Sequence, residues 1–113
     1  MENNEKRKHR RIASLNLSYV CLDEAGKQVK QGMGRTLNLS ESGILLETRF
    51  PIAAEHTVIL SIGLEDQVVD IRGHAVHVRS TDHGVYEIGI EFVNPDERML
   101  HTIRYFIRSL SKE

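Results

Sequence analysis

The stretch IASLNLSYVCL, residues 12–22, alternates apolar and polar side chains. In an extended chain, one face carries Leu15, Leu17, Tyr19 and Cys21, and the other face carries small polar residues. A period of two over this length predicts a β-strand with one face buried.

Five further segments have the composition of strands, and turn residues separate them. They are QGMGRTLNLS (31–40), ILLET (44–48), TVILSIGL (57–64), VVDIRGHAVHVRS (68–80) and VYEIGIEFV (85–93). In the second strand, simple alternation places Met33, Arg35, Leu37 and Leu39 on one face. Short strands joined by Gly, Asp and Asn turns favour an antiparallel barrel or sandwich.

The last part of the chain has helical periodicity. Asn94 is a suitable N-cap, Pro95 suits the first helical position, and Glu97 follows the cap by three residues. Apolar residues then recur at helical spacing, namely Met99, Leu100, Ile103, Phe106, Ile107 and Leu110. We therefore predict one amphipathic helix whose apolar face covers an open end or side of the barrel.

A length of 113 residues suits one compact domain. We expect a flexible basic N-terminal arm over residues 1–11, a β-barrel over 12–94 and a helix over 95–111 that packs on the barrel. Cys21 is the single cysteine, which excludes an intrachain disulfide and a zinc site built from cysteines. The basic start has no apolar stretch after it, and no segment is long enough to insert in a membrane, so we expect a cytoplasmic protein.

Positive charge is concentrated at the N-terminus. The net charge is −1, yet residues 1–11 hold five Lys or Arg against two Glu. The run KRKHRR, residues 6–11, adjoins the first strand without a Gly or Ser spacer, so Arg7 and Arg11 would lie close to the barrel. A guanidinium group can donate two parallel hydrogen bonds to phosphate oxygens, and it can also stack on the face of a base. A frayed, solvated terminus is the alternative explanation.

A compact anion suits such an arm better as a ligand than polymeric nucleic acid does. The arm has no interleaved aromatic residues. Outside the arm, ten Lys or Arg stand against fourteen Asp or Glu, and this acidic body would repel a long polyanion.

The segment NLSESG, residues 38–43, joins the second and third predicted strands. Its simplest explanation is a turn that uses Asn, Ser and Gly for their backbone preferences. As a binding site, it would place Asn38 and Ser40 on one strand face, with Gly43 allowing backbone N–H groups to approach a ligand. An amide, a hydroxyl and N–H groups can together hydrogen-bond the edge of a base.

The sequence contains no G-x-S-x-G elbow and no Walker loop, so we expect no enzymatic activity. His74 and His77 are three residues apart, a spacing that predicts opposite faces of a strand. No other grouping of His, Asp or Glu has ligand spacing, and we expect no metal site.

Two motifs occur in order along the chain. R-x-x-x-R and [D/N]-x-S-x-x-G are matched by Arg7, Arg11, Asn38, Ser40 and Gly43. With six predicted strands and a closing helix, they resemble the PilZ domain, a bacterial receptor module for cyclic di-GMP. The resemblance covers about residues 6–110 and includes the segments GHAVHVR and EIGIEF.

The resemblance implies a role for each motif residue. Arg7 and Arg11 would hold phosphates and stack on, or hydrogen-bond to, guanine. Asn38 and Ser40 would contact the guanine edge, and Gly43 would keep the turn open. The family often has Asp where Asn38 stands. Because an amide offers one acceptor in place of a carboxylate, we expect weaker binding but not its loss.

Four further residues are candidate ligand contacts. His77 and Arg79 fall on one face of the fifth strand, where similar domains can supply a stacking ring and an extra arginine, although a solvent-facing pair explains them equally well. Lys6 and Arg10 could neutralise the four phosphates of a ligand dimer, so we predict two cyclic di-GMP molecules per protein. Arg35 shares a face with apolar residues and is interpreted as structural or as lying at a sheet edge.

The resemblance implies a stand-alone cyclic di-GMP receptor that needs no cofactor. Ligand binding would order the arm and offer a new surface to an unidentified downstream protein. We expect a monomer or weak homodimer. The alternatives are a PilZ-like protein-interaction module that binds no nucleotide, and a small β-barrel nucleic-acid binder.

Overall fold

The computed structural model describes residues 16–54, 56–64 and 67–111, which form six antiparallel strands and one helix. The elements are β1 (Asn16–Leu22), β2 (Gln28–Leu39), β3 (Gly43–Thr48), β4 (Thr57–Leu64), β5 (Gln67–Ser80), β6 (Tyr86–Phe92) and α1 (Glu97–Ser111). The strands close into a barrel in the order β1-β2-β3-β6-β5-β4. The predicted barrel with a C-terminal helix is confirmed, whereas the basic arm lies outside the described residues.

The barrel interior is filled by the inward face of each strand. Leu17, Tyr19 and Cys21 of β1 are buried, as the alternation predicted. Fully buried side chains of the other strands include Leu46, Leu60, Ile62, Ile71 and Ile88. Burying a side chain of this size contributes about 1.5–3 kcal/mol, so this face of each strand fixes its orientation.

The helix α1 completes the core with its apolar face. Ile103 and Phe106 are buried in the same cluster as the barrel residues, and Met99 and Ile107 pack against that cluster. The helix contacts β5 and β2. The predicted role of its apolar face as a cover for the barrel is therefore confirmed.

The helix begins two residues later than its predicted start. The carboxylate of Asp96 accepts a hydrogen bond from the Met99 N–H at 2.9 Å, and the Asp96 carbonyl accepts one from the Leu100 N–H. Asn94 has a φ of 45°, so it turns the chain after β6 and does not cap the helix. The predicted N-cap at Asn94 is wrong, because the capping interaction is made two residues farther along.

Two β-bulges change which side chains face outward. The pairing of β2 with β3 shifts between Thr36 and Asn38, and the pairing of β5 with β6 shifts between Ala75 and His77. Each bulge inserts one extra residue and reverses the alternation beyond it.

The bulge in β2 overturns the single apolar face predicted for this strand. Met33 and Arg35 are exposed on the outside of the barrel, and Leu39 packs against the core. Leu37 is the inserted residue and has no partner in the β2–β3 pairing.

The bulge in β5 brings two histidines to the same side of the sheet. His74 is paired with Glu91 and His77 with Gly89, and both partners alternate with the buried Ile88 and Ile90 of β6. The prediction of opposite faces is wrong, because it assumed an unbroken ladder. Among the residues that the structure describes, no three His, Cys, Asp or Glu side chains are grouped to hold a metal ion.

Candidate ligand-binding site

The outer face of β2, β3, β6 and β5 carries two rows of residues that cross all four strands. The first row, in order of cross-strand pairing, is Asn38, Leu45, Gly89 and His77. The second row is Arg35, Glu47, Glu87 and Arg79. Both bulges are needed for the first row, because an unbroken alternation from Arg35 or His74 would turn Asn38 and His77 toward the interior.

A pocket of about 560 Å³ opens along the first row. Its lining includes Asn38, Ser40, Gly43, His77, Glu87 and Glu91. The structure thus brings the three motif residues of the NLSESG turn together with His77. Arg79 does not line the pocket, and Lys6, Arg7, Arg10 and Arg11 lie outside the described residues.

Ser40 organises the NLSESG turn through its side chain. Its hydroxyl oxygen accepts hydrogen bonds from the N–H groups of Ser42 and Gly43, each at 3.2 Å, and lies 3.3 Å from the Gly43 carbonyl. The Ser40 N–H donates to the same carbonyl at 2.9 Å. A hydroxyl that accepts neighbouring N–H groups is a common way to fix a turn, so Ser40 has a structural role without any ligand.

Gly43 is required by the close approach of β3 to β6. A Cβ atom at this position would lie within 3.0 Å of the Ile90 carbonyl oxygen, a backbone atom that cannot move aside. The Gly43 N–H is already bonded to Ser40. The structure therefore gives this glycine a packing role that the sequence interpretation, which assigned it to ligand access, did not include.

The imidazole of His77 lies over Gly89 on the outer face of the sheet. A Cβ atom at Gly89 would collide with three atoms of the His77 ring, so the absence of a side chain there lets the ring approach the sheet. The ring is exposed and lines the pocket. A planar, exposed ring is a suitable surface for stacking a base.

Two carboxylates line the pocket, and sequence reasoning missed both. Glu87 and Glu91 of β6 flank Gly89 on the outer face. Glu87 forms an ion pair with Arg79. Within the described part of the chain, no Lys or Arg side chain lines the pocket. The signal was present in EIGIEF, where Glu and Gly alternate with isoleucines that are buried.

The model of the PilZ domain family matches residues 5–109 of this chain. The chain belongs to the PilZ family. No curated protein sequence matches it. The match covers nearly the whole length and includes both motifs.

Solved structures similar to this PilZ domain share its fold at low sequence identity. The PilZ domain of CeSA from a cellulose-synthesizing bacterium has 11% identity and a TM-score of 0.60, over 88% of this chain and 96% of that one. The PilZ domain of YcgR from Escherichia coli with c-di-GMP has 11% identity and a TM-score of 0.59, over 94% and 92%. K. pneumonia MrkH in its apo state has 14% identity and a TM-score of 0.59, over 97% and 52%.

The NLSESG turn of this PilZ domain is connected directly to the helix. Arg104 of α1 donates to both carboxylate oxygens of Glu41, through Nε at 3.1 Å and Nη2 at 3.3 Å. These hydrogen bonds raise the pKa of the Arg104 guanidinium above its usual value. A two-point contact between an arginine and a carboxylate fixes orientation as well as distance. The turn that lines the pocket and the helix that covers the core are therefore joined by a side-chain contact.

The helix α1 has no membrane-spanning character. Among the described residues, no helix has the length and apolar content needed to cross a bilayer.

Proposed function

We propose that this PilZ domain is a receptor for cyclic di-GMP, in which the pocket receives a guanine base and the basic arm binds the phosphates. The observation that carries the proposal is the composition of the pocket. Asn38, Ser40, Gly43 and His77 meet in one place on the outer face, and the described lining offers hydrogen-bonding groups and a ring but no Lys or Arg. An anionic ligand would need its cations from elsewhere, and the basic arm is the densest source in the sequence.

The family supports the identity of the ligand. The fold of YcgR from Escherichia coli is similar to this one, and that domain was solved with c-di-GMP. The motifs R-x-x-x-R and N-x-S-x-x-G are both present in this chain. A guanine that stacks on His77 would gain about 1–3 kcal/mol from the aromatic contact.

The direction of β1 supports a role for the arm. Asn16 pairs with Arg35, and β1 runs antiparallel to β2, so β1 enters the barrel from the side on which β2 continues to Asn38. Asn38 lies roughly 10 Å along β2 from Arg35. Arg11 precedes Asn16 by five residues, a length of chain that spans at most about 17 Å. Arg11 is therefore within covalent reach of the pocket, and Arg7 lies one further short segment away.

Several parts of the proposal depend on the arm. Residues 1–11 would become ordered over the bound ligand, with Lys6 and Arg10 neutralising the phosphates of a second cyclic di-GMP molecule. Arg79 would add a contact by exchanging its bond to Glu87 for a phosphate oxygen. The ligand-bound surface would then be presented to a downstream protein in the cytoplasm, by a monomer or weak homodimer that performs no chemistry on the ligand.

Isothermal titration with cyclic di-GMP tests the proposal. We expect saturable binding at two ligands per wild-type protein. Arg11→Ala should weaken binding by roughly tenfold or more, because it removes a charge-assisted contact. Arg72→Ala, which removes an exposed arginine of β5 outside the pocket, should leave the affinity unchanged.

The same titration can contradict the proposal. Wild-type protein that fails to bind cyclic di-GMP, or an Arg11→Ala variant that binds like wild type, would show that the assigned site is wrong. A ratio of one ligand per protein would remove the ligand dimer. Titrations with GTP and with a short single-stranded oligonucleotide separate a cyclic di-GMP receptor from a general nucleotide or nucleic-acid binder.

A further inference from the structure

Guanine presents two adjacent hydrogen-bond donors, N1–H and the N2 amine, on its Watson–Crick edge. A site that reads this edge needs two acceptors side by side, which a carboxylate supplies best. The side-chain acceptors of the NLSESG turn are already engaged. The Asn38 Oδ1 atom already accepts the Leu39 N–H at 2.9 Å, and the Ser40 hydroxyl is engaged within the turn.

Glu91 is a pocket residue whose carboxylate has no hydrogen-bond donor among the described residues. It lies on the outer face of β6, directly paired with Gly43 on one side and with His74 on the other. Paired residues in antiparallel strands have Cα atoms about 4.5–5.5 Å apart, so Glu91 is adjacent to the NLSESG turn. Because Gly43 has no side chain, no neighbouring side chain from β3 covers the carboxylate at this position.

The two carboxylates of the pocket differ in their partners. The Oε1 atom of Glu87 accepts a hydrogen bond from the Nη2 group of Arg79. Glu91 is exposed, and none of the described residues donates a hydrogen bond to its carboxylate. A carboxylate in a pocket for a phosphate-bearing ligand is unfavourable where it faces the phosphates, and favourable where it faces the donors of a base.

We propose that Glu91 reads the guanine edge, accepting N1–H and the N2 amine with its two carboxylate oxygens. The inference rests on the proposed binding of cyclic di-GMP and assigns the base-specific contact within that site. Glu91 would supply the paired acceptor that an amide at Asn38 does not. The pocket would then read the base of the ligand.

The experiment compares cyclic di-GMP with cyclic di-IMP, the same molecule with hypoxanthine in place of guanine and therefore without the N2 amine. Dissociation constants are measured by titration for wild type, Glu91→Gln and Glu87→Gln. Wild type should prefer cyclic di-GMP by roughly 10- to 150-fold, the effect of one hydrogen bond to a charged acceptor. Glu91→Gln should reduce this preference to about threefold or less, because an amide can accept only one of the two donors.

Two variants complete the comparison. Glu87→Gln changes the other carboxylate of the pocket in the same way and should keep the wild-type preference. Adding Asn38→Asp to Glu91→Gln restores a carboxylate beside the base and should recover part of the preference. The midpoint of thermal unfolding, measured for each variant, shows whether the fold is retained.

The outcomes separate this inference from the proposed function. If Glu91→Gln weakens both ligands equally, the carboxylate acts as a counter-ion for the arm and does not read guanine. If Glu91→Gln keeps the wild-type preference, Glu91 does not contact the base. Either result overturns the assignment of Glu91 while leaving cyclic di-GMP binding intact. A wild-type protein that binds neither ligand overturns both proposals.

Discussion

Two residues of the NLSESG turn have roles in the fold that require no ligand. Ser40 holds two N–H groups of the turn, and Gly43 allows the β6 backbone to pass. The motif therefore does not by itself demonstrate binding, because a folded barrel with no ligand would need the same two residues. Within the described part of the pocket, the residue that would distinguish a receptor is Glu91, whose carboxylate accepts no hydrogen bond from the described residues.

Replacing Gly43 by Ala tests the packing role. The added Cβ would collide with the Ile90 carbonyl oxygen, and we expect the free energy of unfolding to fall by about 1–3 kcal/mol. Urea denaturation measures this change. Ser42→Ala, in the same turn, removes only a contact between two exposed hydroxyls and should change stability by less than about 0.5 kcal/mol. Equal stabilities for the two variants would contradict the packing role of Gly43.

The buried thiol of Cys21 should make the stability of the protein depend on pH. Burial raises the pKa of its thiol, although the charge of Lys30 opposes the shift. The unfolded chain therefore loses this proton at a lower pH than the native protein does. The contribution of the Cys21 thiol to stability should be constant below about pH 8.5, the ordinary pKa of a thiol, and should fall as the pH rises above it.

The measurement is urea denaturation between pH 7 and 9.5, compared with Cys21→Ala. The variant will be less stable overall because it loses buried atoms, so the slope with pH is the informative quantity. A smaller slope in Cys21→Ala is expected. Identical slopes would show that the thiol does not contribute to the pH dependence of stability.

Sequence alternation and turn residues predicted the number, order and type of the strands. Alternation succeeded where the ladder is unbroken, as in the pairing of β1 with β4. It failed at the two bulges, because Leu37 and Val76 are ordinary strand residues and carry no local mark of an insertion. A bulge is a property of the pairing between two strands, so one strand read alone cannot reveal it.

The candidate site was predictable in the same partial way. The motif residues and His77 were named from the sequence, but the row that joins Asn38 to His77 exists only because both bulges occur at the same level of the sheet. The N-cap was misplaced because Asn94 and Asp96 both suit the position chemically. The backbone turn at Asn94 decides between them.

The contact between Glu41 and Arg104 should stabilise the NLSESG turn by attaching it to α1. Arg104→Gln should speed amide hydrogen exchange in the NLSESG turn, because the turn loses its attachment to α1. Global unfolding should change little, since both side chains are about half exposed. Arg98→Gln, another exposed arginine of the helix, is the control. An unchanged exchange rate in Arg104→Gln would show that the contact does not stabilise the turn.

Positive and negative side chains are concentrated in different segments of the chain. Residues 12–96 hold six Lys or Arg against twelve Asp or Glu, whereas the helix Glu97–Ser111 holds three Arg against one Glu. With the basic arm, the two ends of the chain are positive and the barrel between them is negative. Long-range attraction of a phosphate ligand must therefore come from the ends, and the barrel opposes it.

Ligand affinity should accordingly depend on ionic strength. Raising NaCl from about 50 mM to 500 mM shortens the Debye length by roughly threefold and should weaken cyclic di-GMP binding several-fold. The dependence should be smaller in Arg11→Ala, which lacks one of the cations of the arm. Isothermal titration at several salt concentrations measures both slopes. Parallel slopes for wild type and Arg11→Ala would place the phosphates away from this arginine.

The pocket lies on the outside of a barrel whose strands are closed and whose interior is filled with side chains. A ligand can arrive and leave without any opening of the core, so its residence time does not depend on the unfolding rate of the protein. A pocket placed in this way can therefore be filled or emptied while the packed core of the barrel stays closed.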